Sequence, residues 1–261
     1  MEWGNQTVTS PRSLLSIHGL SVTYGQVTAL NGVSFDVHPG AITGVIGPNG
    51  AGKTTLLDAI GGFVGYEGTI SLSGICLNGR RPHERARAGL GRTFQAADLH
   101  DDLSVLENVS TGASSIRDRR HRARLIHETL RMLSVDHLQG HLAGELSQGT
   151  RRLVSVARAV VGRPHVLLLD EPAAGLDGKE RAVLADRLRA ICSAGVSVVL
   201  IDHDVDLVLG VCSDVVVLNF GSVIAHGSPG AIRKDRGVAA AYLGTDPVNS
   251  LATDGTSQGG E

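Results

Sequence analysis

Cysteines, aromatic residues and long apolar runs are all scarce in this sequence of 261 residues. Its three cysteines, Cys76, Cys192 and Cys212, form no CxxC spacing, which argues against a disulfide framework and predicts that they fill the core. Aromatic residues make up only 3%, so side chains that could stack on nucleic-acid bases are few. No apolar run approaches the roughly 20 residues that span a bilayer. We therefore expect no membrane-spanning segment and no nucleic-acid partner.

An excess of charge of one sign is also absent, since the formal net charge is -2. The first 13 residues lack the charged start and apolar run of a secretory signal, which predicts a protein that is not exported. Residues 245–261 are polar and rich in glycine, serine and threonine, a composition typical of a disordered tail. Residues 117–124 hold five arginines. We interpret them as a solvated helix face, with contact to phospholipid headgroups as the alternative.

Apolar runs of strand length alternate with amphipathic stretches three times along the chain. The pairs are AITGVIG before KTTLLDAIGGF, HVLLLD before GKERAVLADRLRAIC, and VSVVLID before DVDLVLGVC. This order predicts an α/β fold with a largely parallel, helix-covered sheet. The region that begins at residue 14 alternates apolar and polar residues instead, which predicts an antiparallel β-region, and residues 103–162 contain no strand-like run, which predicts an inserted helical subdomain. A single domain over residues 14–244 would contain all three parts.

The stretch GPNGAGKT, residues 47–54, fits the P-loop pattern and stands between a predicted strand and a predicted helix. Its glycines allow successive backbone amides to turn towards phosphate, and the helix start adds a favourable dipole. Lys53 would reach the β- and γ-phosphates of ATP, and the Thr54 hydroxyl would bind Mg²⁺. The residues predicted to bind ATP here are Gly47, Pro48, Asn49, Gly50, Ala51, Gly52, Lys53, Thr54 and Thr55.

Two adjacent carboxylates, Asp170 and Glu171, end the apolar strand HVLLLD. In α/β folds ligands bind at this carboxyl edge of the sheet. Asp170 is therefore a candidate Mg²⁺ partner, directly or through water, and Glu171 a candidate general base for the water that attacks the γ-phosphate. Without a P-loop such a pair would be read as an ordinary polar strand end.

With the P-loop before it and LLLDEP after it, LSQGTRR resembles the signature motif of the ATP-binding-cassette (ABC) ATPases, usually written LSGGQ. Ser147 and Gly149 keep that pattern, whereas Gln148 and Thr150 depart from it. In that family the signature helix points its start at the ATP of a second ATPase subunit. The resemblance thus implies that Ser147, Gln148 and Gly149 act in trans, although Ser147 could also serve only as a helix N-cap.

The resemblance extends from about residue 14 to 244 and implies four further site residues. Tyr24 matches the aromatic residue that stacks on adenine, and Gln95 matches the glutamine that senses Mg²⁺ and the γ-phosphate. Asp177 matches the D-loop residue at the dimer interface, and His203 matches the histidine that holds the γ-phosphate. Each also has an ordinary explanation, such as a helix N-cap for Asp177 or a strand-end polar residue for His203.

Longer phrases, among them GRTFQ, LSVLENV, DEPAAGLD and the ending AAAYLG, look like the ATPases of branched-chain amino-acid importers and of related urea or short-amide importers. This resemblance implies a cytoplasmic ATPase, peripheral on the inner face of the cell membrane. Its implied partners are separate membrane permease subunits, a second ABC ATPase chain of the same or a similar kind and, indirectly, an extracytoplasmic substrate-binding protein. The alternatives are an exporter ATPase, a soluble ABC protein acting on ribosomes or DNA, and an unrelated P-loop kinase.

Overall fold

A computed structural model describes residues 13–93 and 99–243. The strands are β1 (Leu15–Tyr24), β2 (Val27–Val37), β3 (Ile42–Ile46), β4 (Glu67–Leu72), β5 (Ile75–Cys76), β6 (Leu90–Arg92), β7 (Val166–Asp170), β8 (Ser197–Ile201), β9 (Asp214–Asn219) and β10 (Ser222–Gly227). The helices are α1 (Lys53–Gly61), α2 (Pro82–Arg87), α3 (Val105–Gly112), α4 (Arg119–Met132), α5 (Gln148–Val160), α6 (Gly178–Ser193), α7 (Val205–Val211), α8 (Pro229–Ile232) and α9 (Arg236–Leu243).

A six-stranded sheet, in the order β10-β9-β3-β8-β7-β6, forms the centre of the fold. Its strands pair in parallel except for β10, which runs antiparallel to β9. Every residue of β3, β7 and β8 is buried, because helices or the second sheet cover both faces of the central sheet. Parallel strands end at the same edge, so the loops after β3, β7 and β8 meet there.

The second sheet has the order β2-β1-β4-β5 and is antiparallel throughout. It packs over α1 and one face of the central sheet. The core that they share includes Ile17 and Leu20 of β1 and the α1 residues Leu56, Leu57 and Ile60. The α/β fold class predicted from the sequence, with a parallel and an antiparallel sheet, is confirmed.

The opposite face of the central sheet packs against α5, α6 and α7. Within residues 103–162 lie α3, α4 and α5, two 3-10 turns, and an isolated bridge between Ser104 and Leu142. Asp118 caps α4, and the arginine run around it is exposed apart from the half-buried Arg122. Among residues 13–93 and 99–243, no helix combines the length and the apolar character needed to cross a membrane.

The prediction that all three cysteines fill the core is wrong for Cys76. Cys212 is buried and Cys192 is partly buried, but Cys76 is exposed. It lies on β5, a two-residue strand at the edge of the antiparallel sheet where both side chains face solvent.

Candidate functional site

The loop from Gly47 to Gly52 joins β3 to α1, and its two ends accept no side chain larger than hydrogen. A Cβ atom on Gly47 would lie 2.2 Å from the Leu218 carbonyl oxygen. Gly52 has a φ of 101°, and a Cβ atom there would lie 2.6 Å from the Ala29 carbonyl oxygen. Close backbone contact with the neighbouring strands therefore requires glycine at both positions.

Lys53 begins α1 and is nearly buried, with 7% of its surface exposed. Its Nζ donates to the carbonyl oxygens of Gly47 at 2.7 Å and Pro48 at 3.1 Å. An ammonium has three hydrogens, so one remains for an incoming anion. Burial lowers the pKa of Lys53 below its usual value, while the nearby carboxylates of Glu171, Asp170 and Asp202 oppose that shift.

Around Lys53, the other predicted P-loop residues are more open to solvent. Asn49, Gly50 and Thr54 are exposed, and Pro48 and Thr55 are partly buried. The start of α1 therefore presents backbone N–H groups and the Thr54 hydroxyl at the surface of the loop, an arrangement suited to phosphate oxygens.

Asp170 ends β7 and is 2% exposed. Burial raises the pKa of its carboxyl, and the Arg92 guanidinium opposes this shift. The Oδ1 atom of Asp170 is buried and has no hydrogen-bond partner among residues 13–93 and 99–243. A buried carboxylate oxygen of this kind, on the sheet edge that carries the P-loop, suits a water or hydroxyl held by a divalent cation.

The described residues offer a bound cation few protein ligands. No group of three or more His, Cys, Asp or Glu side chains is arranged to hold a metal within the described part of the chain. Mg²⁺ fits such a set, because it keeps several waters and binds through one or two protein oxygens together with substrate phosphates. Thr54 and Asp170 provide oxygens of the required kind.

Glu171 follows Asp170 in an unusual backbone conformation, with a φ of 47°. Its N–H donates to the Ile201 carbonyl oxygen at 2.8 Å, a bond that links the loop after β7 to the end of β8. For a residue with a side chain this conformation costs about 1–3 kcal/mol, and such residues cluster at active sites. The Glu171 side chain is 23% exposed, so water can reach its carboxylate.

His203 lies just after β8, with its Nδ1 4.0 Å from Glu171 Oε2 and 3.7 Å from Asp202 Oδ1. Its side chain is 59% exposed, which leaves the ring accessible to a ligand. The structure thus brings together His203, Glu171, Asp170 and Lys53, four of the residues predicted from the sequence. Gln95 lies outside the described residues.

Asp202 was not among the predicted site residues, although it is fully buried beside His203. Its two carboxylate oxygens accept the backbone N–H groups of Ala173 and Asp204, each at 3.0 Å. Burial raises the pKa of Asp202, while these two N–H groups oppose the shift. Asp202 therefore joins the loop that follows Glu171 to the loop that contains His203.

The signature residues lie at the start of α5. Ser147 is the N-cap: its Oγ accepts the Thr150 N–H at 3.3 Å and lies 3.0 Å from Thr150 Oγ1. Ser147 and Gln148 are exposed, but Gly149 is buried. A Cβ atom on Gly149 would lie 2.4 Å from Glu180 Oε1, so the glycine allows α5 to approach α6 closely.

Asp177 is the N-cap of α6 and forms a capping box with Glu180. Its Oδ1 accepts the N–H groups of Lys179 and Glu180 at 2.8 Å each, and Glu180 Oε2 accepts the Asp177 N–H at 3.1 Å. The Glu180 side chain also lies against Gly149, so it contacts both Asp177, the predicted D-loop residue, and the predicted signature motif. Within the chain, Asp177 has the ordinary role of an N-cap.

Tyr24 ends β1, where it pairs with Val27, and half of its surface is exposed. An exposed aromatic ring at this position is available to stack on a flat ligand. Three further residues that the sequence analysis did not select touch or adjoin the site: Arg92 beside Asp170, Glu180 beneath Gly149, and Tyr242, which lines a cleft with Ile46, the residue before Gly47. The quoted phrases GRTFQ and AAAYLG contained two of them, but no role followed from the sequence.

Comparisons with known proteins agree with this geometry. Residues 30–174 match the family described as ABC transporter, and residues 222–248 match the one described as branched-chain amino acid ATP-binding cassette transporter. BraF of Pseudomonas aeruginosa, a high-affinity branched-chain amino acid transport ATP-binding protein, is 34% identical, covering 89% of this chain and 98% of its own. LivG of Escherichia coli K12, described in the same words, is 36% identical, covering 88% and 98%.

Solved structures show the same similarity. The ADP conformation of MJ1267, an ATP-binding cassette of an ABC transporter, superimposes with a TM-score of 0.82 at 29% identity, covering 89% of this chain and 99% of that one. CbiO1 from Clostridium perfringens, part of the ABC transporter complex cbiONQ, gives 0.78 at 28% identity, covering 88% and 98%. Sequence, fold and site geometry together show that this chain belongs to the ABC transporter family and is an ATP-hydrolysing transport ATPase.

Proposed function

We propose that this chain is the ATPase subunit of an importer for branched-chain amino acids or related small polar solutes. The observation that carries this proposal is the similarity to BraF and LivG along 88–89% of the chain, together with the separate match of residues 222–248. These relatives do not favour the exporter alternative or the ribosome- and DNA-acting alternative. The chain would work at the cytoplasmic face of the membrane, bound to separate permease subunits.

In this proposal the P-loop binds ATP together with Mg²⁺. Lys53 keeps its two carbonyl bonds and gives its third hydrogen to a phosphate oxygen. Thr54 and Asp170, with Gln95, would hold Mg²⁺, which when bound neutralises charge on the phosphates. Tyr24 would stack on the adenine ring.

Hydrolysis is assigned to Glu171, with His203 and Gln95 beside the γ-phosphate. The Glu171 carboxylate, which is 23% exposed, would accept a proton from the attacking water, and His203 would donate a hydrogen bond to the γ-phosphate. The 4.0 Å separation of His203 Nδ1 and Glu171 Oε2 supports this assignment, because both side chains can then face the same bound phosphate.

A second ATPase chain is part of the proposal, because Ser147, Gln148 and Gly149 would serve the ATP of the partner. The exposure of Ser147 and Gln148 at the start of α5 supports this role, and Asp177 would lie at the same interface. The permease would bind near residues 97–102 and the helical subdomain.

Co-purification and uptake test this proposal. The chain should be isolated from its native membranes in mild detergent, the associated chains identified by mass spectrometry, and the complex reconstituted in liposomes with its binding protein. We expect ATP-dependent uptake of labelled leucine or of urea and loss of uptake with Glu171→Gln. Uptake of neither solute would contradict the proposed substrate class, and export would contradict the direction.

Crosslinking tests the permease contact separately. A cysteine placed at His100 or Asp102, both exposed, should capture a membrane protein after Cys76 is replaced by serine. The native Cys76, on the far antiparallel sheet, is the matched control and should capture none. Capture of ribosomal protein or DNA at residue 100 or 102 would refute the transporter assignment of this face.

A further inference from the structure

One arginine side chain encloses the signature segment at the start of α5. Arg151 lies one turn beyond Ser147, and its backbone N–H donates to the Ser147 carbonyl oxygen at 2.9 Å. Its side chain reaches back along the chain, where Nη1 donates to the Ala143 carbonyl oxygen at 2.6 Å. This hydrogen bond closes a loop over residues 143–151, and the whole predicted signature lies inside that loop.

The same guanidinium also bonds to a residue outside this loop. Nη2 of Arg151 lies 2.7 Å from Oδ1 of Asp101, an exposed residue that precedes α3. The Arg151 side chain is 24% exposed, so the pair is partly shielded from water. A planar guanidinium that serves two acceptors at once has a fixed orientation, which a single contact would not give it.

Backbone hydrogen bonds hold the turn before the signature against the loop that contains Asp101. The Gly144 N–H donates to the Asp101 carbonyl oxygen at 3.2 Å, and the Ala143 N–H donates to the Leu103 carbonyl oxygen at 2.9 Å. Arg151 adds α5 to this pairing, because it bonds to Ala143 and to Asp101. The start of α5 is therefore attached to the loop before α3 through the Arg151 side chain.

We propose that Arg151 is a positioning residue for hydrolysis: it fixes the start of α5, so that Ser147 keeps the orientation in which it serves the ATP of the second chain. Arg151 itself touches no nucleotide in this proposal. Donors that are already oriented stabilise a transition state because they need no reorganisation at the moment of reaction. The inference rests on the proposed action of the signature in trans.

The variant Arg151→Gln removes the charge and the two-pronged contact. Loss of a preoriented donor costs about 10²–10³ in rate, and a donor that is present but loosely held should cost less. We expect kcat for ATP to fall about tenfold and the Kd for Mg-ATP to change less than about twofold, because the P-loop of the same chain is untouched. Arg151→Lys keeps the charge but not the planar fork, and should recover part of the loss.

Arg163→Gln is the matched control. Arg163 follows the other end of α5, pairs with Glu128 of α4 at 3.1 Å, and has a side chain that is 33% exposed. Both substitutions break a partly exposed arginine pair, so both should lower stability slightly. Only Arg151→Gln should lower kcat. Hydrogen exchange gives a readout independent of turnover: in Arg151→Gln the amides of Ala143 and Gly144 should exchange faster, while those of β7 keep the wild-type rate.

Mixed dimers show whether the effect lies in the signature. In the first dimer one chain carries Arg151→Gln and its partner carries Lys53→Ala, so an intact P-loop faces an intact signature. In the second, one chain carries both substitutions and the partner is wild type, so the only working P-loop faces the altered signature. We expect the first dimer to be about tenfold more active. General damage to the altered chain would give the reverse order, because only the first dimer uses its P-loop, and would refute the inference.

The outcomes separate this inference from the function on which it rests. If Ser147→Arg hydrolyses ATP at the wild-type rate, the proposed role of the signature fails. If Ser147→Arg blocks hydrolysis while Arg151→Gln has the kcat of Arg163→Gln, the positioning role is refuted. Should Arg151→Gln be too unstable to purify, Asp101→Asn breaks the same ion pair from its exposed side, and its kcat is compared in the same way with that of Glu128→Gln.

Discussion

The Arg92 guanidinium lies 3.8 Å from the Asp170 carboxylate, and both side chains are nearly buried, at 9% and 3% exposure. The same nitrogen of Arg92 lies 2.8 Å from Asp58. A nearby positive charge favours the ionised form of a buried carboxylate, and Arg92 supplies one. Arg92 therefore opposes the rise in the Asp170 pKa that burial causes, and so favours the form that can serve Mg²⁺.

The first prediction concerns this pair. Arg92→Met should lower the free energy of unfolding of the nucleotide-free protein by about 2 kcal/mol, between the values for fully buried and for surface ion pairs, because Asp58 is partly exposed. Urea denaturation measures the change. Arg92→Lys, which keeps the charge, should lose less. Equal losses for both variants would mean that the shape of the side chain, and not its charge, is what matters.

The second prediction separates chemistry from binding. Glu171→Gln should reduce ATP hydrolysis by at least about 100-fold and leave the Kd for Mg-ATP unchanged, because the base is lost but the phosphate ligands remain. Lys53→Ala should instead weaken binding itself, since it deletes the charge aimed at the phosphates. Equilibrium binding of labelled ATP distinguishes the two. Near-normal turnover in Glu171→Gln would remove Glu171 from the role of base.

The third prediction tests action in trans. Ser147→Arg should block hydrolysis by about 100-fold or more, although its own P-loop still binds nucleotide. A mixed dimer of one Ser147→Arg chain and one Lys53→Ala chain should regain activity, because the intact P-loop of the first faces the intact signature of the second. Turnover of the mixed dimer is compared with that of both mutant homodimers. Activity no higher than theirs, with mixed dimers demonstrated, would count against the trans role.

The fourth prediction uses the cysteines. Burial raises the pKa of Cys192 to about 11 and that of Cys212 to about 12, so both stay protonated at neutral pH, and the thiol is a poor nucleophile. At pH 8 iodoacetamide should therefore modify Cys76 first, and the other two only after unfolding in urea. Peptide mass spectrometry gives the order. Rapid modification of Cys212 in the folded protein would contradict its burial.

Local patterns in the sequence predicted the elements of the site but not their contacts. GPNGAGKT and LLLDEP identified Lys53, Asp170 and Glu171, since each motif lies within a few residues of a strand end. The contact of Arg92 with Asp170 depends instead on β6 lying next to β7, a neighbour relation between strands more than 70 residues apart in the chain. Periodicity gives strands and faces, whereas strand order follows from the packing of the whole chain.

Tyr242 is a second residue whose contacts could not be predicted from the sequence. The ending AAAYLG resembles a family sequence, yet Tyr242 lies beside Ile46 only because α9 returns to the end of β3. Asp202 was not predicted as a site residue, because a buried carboxylate that accepts backbone N–H groups has no signal of its own in a sequence. Residues that act through backbone contacts are thus the ones that sequence patterns miss.

Asp202 also couples the movements of two loops of the site. One of its carboxylate oxygens accepts the Ala173 N–H and the other accepts the Asp204 N–H, so the loop after β7 and the loop after β8 should move together. We expect the proposed base and the γ-phosphate ligand to respond to the loss of phosphate in one relaxation, with one rate constant, and not in two successive steps. Fluorophores placed on the two loops would then report the same time course after hydrolysis.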